Sequence, residues 1–308
     1  MNKPKASIIM PSYNTPRDFL REAVSSVLNQ AYGELELIII DDGSAVPVRD
    51  TIADIDDRRI MIVENPGNKG LPFTLNNGIA HCSGKYIFRM DSDDICEKNR
   101  IERQVGFFEA HPEIDVTATF SRSFGDYEVL YRSPSGDAQI KAGFLWKNEL
   151  VHPTVGLRAE TVKKYDVRYR VGAASEDYEL WTRMAFEYNC KFAVIPEELL
   201  RYRMHGGQVT KNNSEKLQKS ELEIIERTLK SLDIALSGEQ LAAYGGMRTG
   251  QSLGGRELSE ALSAMKQILS RLPAELDKTY LKKLYRRQAL KYCLKNKRLS
   301  GLPKVLGI

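Results

Sequence analysis

Two groups of carboxylates could do chemistry in this chain. The first is Asp91-Ser92-Asp93-Asp94, which ends the apolar run Tyr86-Ile87-Phe88-Arg89-Met90; the second is Glu176-Asp177. Clustered carboxylates repel one another unless a cation sits among them. Hard divalent ions such as Mg²⁺ or Mn²⁺ prefer such oxygen ligands, and Mg²⁺ is commonly shared with phosphate groups. A solvated acidic turn is the plain alternative for the first group. Its position argues against that, because open α/β sheets bind ligands beyond the carboxyl ends of their strands. The second group, read alone, is first of all a helix start that sets acids against the helix dipole.

The elements that must position these groups can be traced from periodicity. Ala6–Met10 and Tyr86–Met90 read as buried strands, Leu35–Ile40 as an apolar strand and Ile60–Val63 as a further strand. Thr15 is expected to cap a helix with Pro16 at its first position. That helix places Phe19, Leu20, Ala23, Val24, Val27 and Leu28 on one face. Leu71–Ala80 is a second helix. Strands alternating with helices imply a parallel sheet with crossover connections. Each polar cluster follows a strand: Pro11-Ser12-Tyr13-Asn14, Asp41-Asp42, Asn65 to Gly70, and Asp91 to Asp94. All four should share one sheet edge.

Beyond residue 96 the pattern changes. Helices are expected at Glu97–Ala110 and Glu176–Tyr188, and strands at Asp115–Ser121, Val129–Tyr131, Val155–Arg158, Phe192–Ile195 and Leu199–Met204. From about Asn213 the pattern is helical, with breaks expected at Gly245-Gly246 and Gly254-Gly255. A boundary near 212 divides a domain over 1–212 from a helical region over 213–308.

Composition is that of a soluble globular protein, 42% hydrophobic and 28% charged over 308 residues. No apolar stretch approaches the roughly 20 residues needed to span a bilayer, and the start, Met1-Asn2-Lys3-Pro4-Lys5, does not read as a signal peptide. The four cysteines form no CxxC pair, which fits a reduced cytoplasm and no structural zinc. Segment 278–304 holds ten Lys and Arg and no acid, against a net charge of +4 for the whole chain, so the remainder is net acidic. Leu281, Leu284, Tyr285 and Tyr292 give this segment an imperfect apolar face. It suits an anionic membrane surface, or equally a helix packed on the core. A net acidic body without a recognisable module argues against nucleic acid as a partner.

Taken together, Pro11-Ser12-Tyr13-Asn14, Ile40-Asp41-Asp42-Gly43-Ser44, Asn68-Lys69-Gly70 with Leu75-Asn76-Asn77-Gly78, Gly84-Lys85-Tyr86-Ile87, Asp91-Ser92-Asp93-Asp94 and Glu176-Asp177-Tyr178-Glu179-Leu180-Trp181 resemble the family 2 glycosyltransferases of the GT-A fold. The resemblance covers roughly residues 5–210. It implies an α/β, Rossmann-like, mostly parallel sheet flanked by helices, with a nucleotide-binding half over 1–95, an acceptor-binding half over 96–212 and a C-terminal helical extension. It implies a nucleotide-sugar site formed by Pro11, Tyr13, Asn14, Asp42, Asn68, Lys69 and Asp91, with Asp42 accepting from the base imide or ribose. Asp93 would ligate Mn²⁺ or Mg²⁺, His205 would approach the metal or diphosphate, and Asp177 would be the base of an inverting transfer. His152, Glu176 and Trp181 would support the acceptor side.

Each assignment has a duller counterpart. Asp41-Asp42-Gly43-Ser44 and Asn68-Lys69-Gly70 are turn sequences. His205 precedes Gly206-Gly207 and could sit on a surface loop. His152 either contacts the acceptor or ends a strand, and Trp181 either stacks on a sugar or fills the core.

The expected activity is metal-dependent transfer of one sugar, from a UDP-sugar for preference, to a saccharide or lipid-linked oligosaccharide of a surface glycan. Location would be cytoplasmic or peripheral on the inner membrane face. The Q-x-x-R-W motif of processive synthases is absent. Two rivals remain: a sugar-phosphate nucleotidyltransferase, and a catalytically dead peripheral membrane or glycan-binding protein.

Overall fold

The computed structural model describes residues 5–206 and 214–296. Its first half is built from β1 (Ala6–Ser12), α1 (Arg17–Leu28), β2 (Leu35–Asp41), α2 (Val48–Thr51), β3 (Ile60–Glu64), α3 (Leu71–His81) and β4 (Tyr86–Arg89). The four strands lie in the order β3-β2-β1-β4, all parallel. β1, β2 and β4 are near-continuous apolar runs because both faces are covered, while β3 at the sheet edge is only partly buried. Ile8, Met10, Leu37, Ile39 and Phe88 pack with Leu20, Ala23, Val24 and Val27 of α1. Ile9, Ile38, Ile40 and Ile87 pack on the other face with Leu75 and Ile79 of α3.

Thr15 does not cap α1. Pro16 occupies the N-cap position without a side-chain bond. The Thr15 hydroxyl instead lies 3.1 Å from that of Ser12 and 2.7 Å from that of Ser92. It stitches the loop leaving β1 to the loop leaving β4, on the sheet edge expected to carry the polar clusters.

The second half continues the same sheet through β5 (Ile95–Cys96), α4 (Arg100–Ala110), β6 (Val116–Gly125), β7 (Leu130–Tyr131), α5 (Asp137–Gly143), β8 (Gly156–Arg158), α6 (Ala159–Lys164), α7 (Glu176–Phe186) and β9 (Phe192–Met204). Beyond β4 the order runs β8-β6-β9-β5, with β7 on β6. β8 is antiparallel to both β4 and β6, while β6 and β9 are parallel. The two strands expected over 192–204 are one long strand, whose ladder with β6 slips between Thr119 and Ser121. That irregularity lets Pro196 sit within a strand without donating to the ladder.

The remaining helices are α8 (Ser214–Ser231), α9 (Gly238–Thr249), α10 (Gly255–Arg271) and α11 (Lys278–Lys295). Gly254 caps α10, as a break there requires, but Gly245-Gly246 lie inside α9. Their missing side chains make room for neighbours: a Cβ on Gly245 would stand 2.8 Å from Leu222, and one on Gly246 2.7 Å from Leu253. Buried residues of α8 to α11, including Ile225, Tyr244, Met265, Leu281 and Tyr285, belong to the same apolar cluster as Trp181 and Ile9. The apolar side of the basic segment is therefore turned inward. Lys297, Arg298 and Lys304 lie outside the described residues.

Candidate functional site

The parallel strands end in four loops at one edge, and polar side chains knit these loops together. Asp41 accepts the backbone N–H groups of Ser44 at 2.9 Å and Val48 at 2.8 Å, closing the turn after β2. Asp42 is only 4% exposed. Its carboxylate accepts Asn65 Nδ2 at 2.7 Å and the backbone N–H groups of Lys69 and Gly70 at 2.9 and 2.8 Å. A carboxylate offers about four acceptor positions, and three are taken by the 65–70 loop. Asp42 thus holds the 65–70 loop against the loop after β2. Gly43, at φ +79°, allows these loops to meet, since a Cβ there would lie 2.6 Å from Gly67 Cα.

Asn14, at φ 51°, joins the first two loops. Its Oδ1 accepts Ala45 N–H at 2.8 Å, and its own N–H donates to Ser44 Oγ at 3.0 Å. Pro11 is buried at the end of β1, whereas Tyr13 presents its ring to solvent, 49% exposed. Asn68 and Lys69 are exposed on the opposite loop.

Asp91, Asp93 and Asp94 lie at the end of β4 with ligand atoms within 4.8 Å of one another. Arg89, the one charge in a buried strand, pairs with both oxygens of Asp91. Asp93 Oδ2 lies 3.0 Å from His205 Nε2 and accepts its N–H in the tautomer that carries a proton there. Asp94 is 1% exposed; its Oδ1 accepts Arg203 N–H at 2.8 Å, while its Oδ2 is buried without a partner. Burial, then the charges of Asp91 and Asp93, push the Asp94 carboxyl well above the ordinary range. Arg203 also grips the Asp93 carbonyl at 2.7 Å, its guanidinium stacked 4.1 Å from the Phe19 ring centre. An orphaned buried oxygen beside two like charges is the donor set a hard divalent cation satisfies. The residues present fit such an ion.

The second carboxylate group begins α7. Asp177 accepts Asn148 Nδ2 at 2.7 Å on one oxygen and Tyr178 N–H at 2.7 Å on the other. Partial burial raises its pKa, opposed by those donors and by Arg89. Burial and the neighbouring Asp177 charge push Glu176 up to about 7. His152 stands 3.9 Å from Glu176 and bonds the Tyr169 hydroxyl at 2.8 Å. Burial and Arg89 hold its pKa well below the usual value, so the imidazole stays neutral. Trp181 is fully buried, edge-on to His152 with ring centres 5.8 Å apart. Burial excludes the sugar-stacking role for Trp181; it backs His152 instead.

The charge of Arg89, paired with Asp91, therefore reaches both carboxylate groups and is felt by Asp91, Asp94, Glu176 and Asp177. Three contributors escape a reading of the sequence as motifs. Arg89 had a signal, a charge inside an apolar strand. Asp94 lay within the acidic run, and only the fold sets it apart by burying it with one oxygen unpartnered. Asn148 had none, because only the fold brings it to Asp177.

Residues 7–164 match the family described as Glycosyl transferase family 2. An uncharacterized glycosyltransferase of Haemophilus influenzae is 31% identical over 229 residues, 68% of this chain and 68% of that protein. The chain is 26% identical over 219 residues to "UDP-Glc:alpha-D-GlcNAc-diphosphoundecaprenol beta-1,3-glucosyltransferase WfgD" of Escherichia coli, covering 69% of this chain and 82% of that one. Among solved structures, S. aureus TarS in complex with UDP-GlcNAc superposes with a TM-score of 0.64 at 16% identity, over 98% of this chain and 90% of that chain.

Proposed function

Because the chain belongs to glycosyl transferase family 2 and has a GT-A relative in TarS, we propose that it is a metal-dependent inverting enzyme that moves one sugar from a UDP-sugar to a hydroxyl of a growing bacterial surface glycan. The observation that carries the reading is the pair of carboxylate groups that both feel the charge of Arg89, one suited to a cation and one ending in a half-buried, hydrogen-bonded aspartate. Transfer needs both, because a charged diphosphate must leave from one side of the sugar while a weak hydroxyl attacks the other.

In this reading Tyr13, Asn14, Asn68 and Lys69 line the nucleotide side over Pro11, behind which Asp42 fixes the 65–70 loop. Asp93 and Asp94, with His205 beside them, hold Mn²⁺ or Mg²⁺. When bound, that ion offsets the charge that develops on the leaving diphosphate. Asp91, paired to Arg89, faces the ribose. Asp177 takes the proton from the attacking hydroxyl, and Glu176, protonated up to about pH 7, adds no second charge beside it. Neutral His152, backed by Trp181, faces the acceptor.

The UDP donor and lipid-linked acceptor are supported by the names of WfgD and the TarS complex. We assign residues 1–212 to transfer and 213–308 to support. Among the described residues no helix is long and apolar enough to cross a membrane. The outward side of α11, however, carries Lys283, Arg286, Arg287, Lys291 and Lys295 with the exposed Leu290 and Leu294. It is the face we assign to an anionic inner-leaflet surface.

The test is a panel of nucleotide sugars assayed with Mn²⁺ or Mg²⁺ for binding and for the product released. A nucleoside diphosphate is expected. Release of pyrophosphate would instead make the protein a nucleotidyltransferase, and binding without turnover would make it a binding protein.

A further inference from the structure

We propose that Asn148 is the residue that aims the Asp177 carboxylate, and that the helices after residue 213 serve the reaction by holding the segment that carries Asn148. The inference rests on the reading of Asp177 as the base. Asn148 donates from Nδ2 to Asp177 Oδ2 at 2.7 Å, while its Oδ1 accepts Leu150 N–H at 3.1 Å. The second bond defines which end of the amide faces the carboxylate. With Tyr178 N–H on the other oxygen, the carboxylate is held at both ends and keeps lone pairs free for an acceptor proton.

Asn148 sits on the stretch 144–150, which belongs to no helix or strand. Buried backbone outside regular structure must find its partners elsewhere, and here other helices supply them. Tyr178, next to the base on α7, donates its hydroxyl to Phe144 O at 2.5 Å. Tyr244 of α9 donates to Leu145 O at 2.6 Å, and Arg248 of α9 to Trp146 O at 3.1 Å. Tyr280 of α11 donates to the carboxylate of Glu149 at 2.8 Å. The Trp146 ring is gripped edge-on by Tyr244 and Tyr285, with centres 5.0 and 5.2 Å away. Leu145, Trp146 and Glu149, which flank Asn148 in sequence, are thus tied to α9 or α11, and Asn148 is the residue of this stretch that reaches the base.

The experiment measures UDP release from UDP-glucose or UDP-N-acetylglucosamine, whichever the wild type turns over, beside UDP affinity and thermal unfolding. Asn148→Ala should lower kcat about 10–10²-fold, the scale of a misplaced reacting group, with UDP affinity within about twofold of wild type. Asn148→Asp keeps the shape and replaces the donor by a like charge. It should lose at least as much, and it decides the matter if the alanine variant is unstable. Tyr244→Phe, which removes only the hydroxyl anchor, should fall in the same direction by less. In a double-mutant cycle, Asn148→Ala should cost nothing further once Asp177→Asn is in place.

Near-normal kcat in both Asn148 variants while Asp177→Asn is inactive would overturn the positioning role and leave the base intact. Fully additive losses would do the same. An active Asp177→Asn would overturn the base assignment itself, and this inference with it.

Discussion

At the residue scale, Glu176 and Asp177 are adjacent carboxyls that burial pushes up, with the charge of Asp177 adding to the shift on Glu176. Glu176 is pushed up to about 7 by burial and by the charge of Asp177. A carboxyl whose folded pKa is raised binds its proton more tightly folded than unfolded. Its contribution to stability is therefore fully present below the unfolded value of 4.5 and lost as pH rises through about 7. Glu176→Gln fixes the neutral form. The variant should be more stable than wild type above pH 7, by on the order of 1–3 kcal/mol, and equal to it near pH 4, as denaturant unfolding at the two pH values would show. A stability difference independent of pH would mean that Glu176 does not titrate there. Asp91 and Asp93 were legible because their type and their place after an apolar run carry the signal, whereas Glu176 and Asp177 stood out only through the resemblance. What Asp42 and Asn148 do was not legible. Asp42 bonds a loop more than 20 residues away, and Asn148 meets Asp177 across 29. Such pairings follow from topology, which local pattern does not encode.

At the element scale, the parallel half was read almost to its ends because β1, β2 and β4 are buried on both faces and so carry an unbroken apolar signal. The errors came where a residue had two uses. Thr15 has the chemistry of a cap, but Ser92 lies within reach and takes its hydroxyl. Gly245 and Gly246 break helices in isolation, yet here they let α9 approach Leu222 and Leu253. Gly78 shows the same logic in α3, where a Cβ would lie 2.3 Å from Ile9 Cγ2 and 2.7 Å from Ile40 Cδ1. Gly78→Val should therefore destabilise the protein by about 1–3 kcal/mol through overpacking, which outweighs the few tenths gained in helix propensity. A thermal midpoint equal to or above that of wild type would contradict the packing.

At the scale of the whole molecule, α11 has two faces with different duties. Leu281, Tyr285, Ala289, Tyr292 and Cys293 are buried, and burying each large apolar side chain is worth about 1.5–3 kcal/mol. Truncation before α11 should cost several kcal/mol against a typical net stability of about 5–15 kcal/mol. A chain ending at Asp277 should then aggregate or melt early. Reversal of Lys283, Arg287 and Lys291 to Glu touches only the outward side. It should leave the melting temperature near wild type and abolish salt-sensitive binding to acidic liposomes, whereas unchanged binding would remove α11 from the membrane contact. The central claim is that one carboxylate group holds the ion and donor while the other does the chemistry. The most direct measurement is UDP affinity and UDP-sugar turnover, with and without divalent ion, in wild type, Asp93→Ala and Asp177→Asn. The account predicts that chelation and Asp93→Ala each weaken UDP binding sharply. It predicts that Asp177→Asn binds UDP as wild type does while turnover falls by about 10²–10⁴-fold. Tight UDP binding indifferent to both metal and Asp93, together with near-normal turnover by Asp177→Asn, would contradict it.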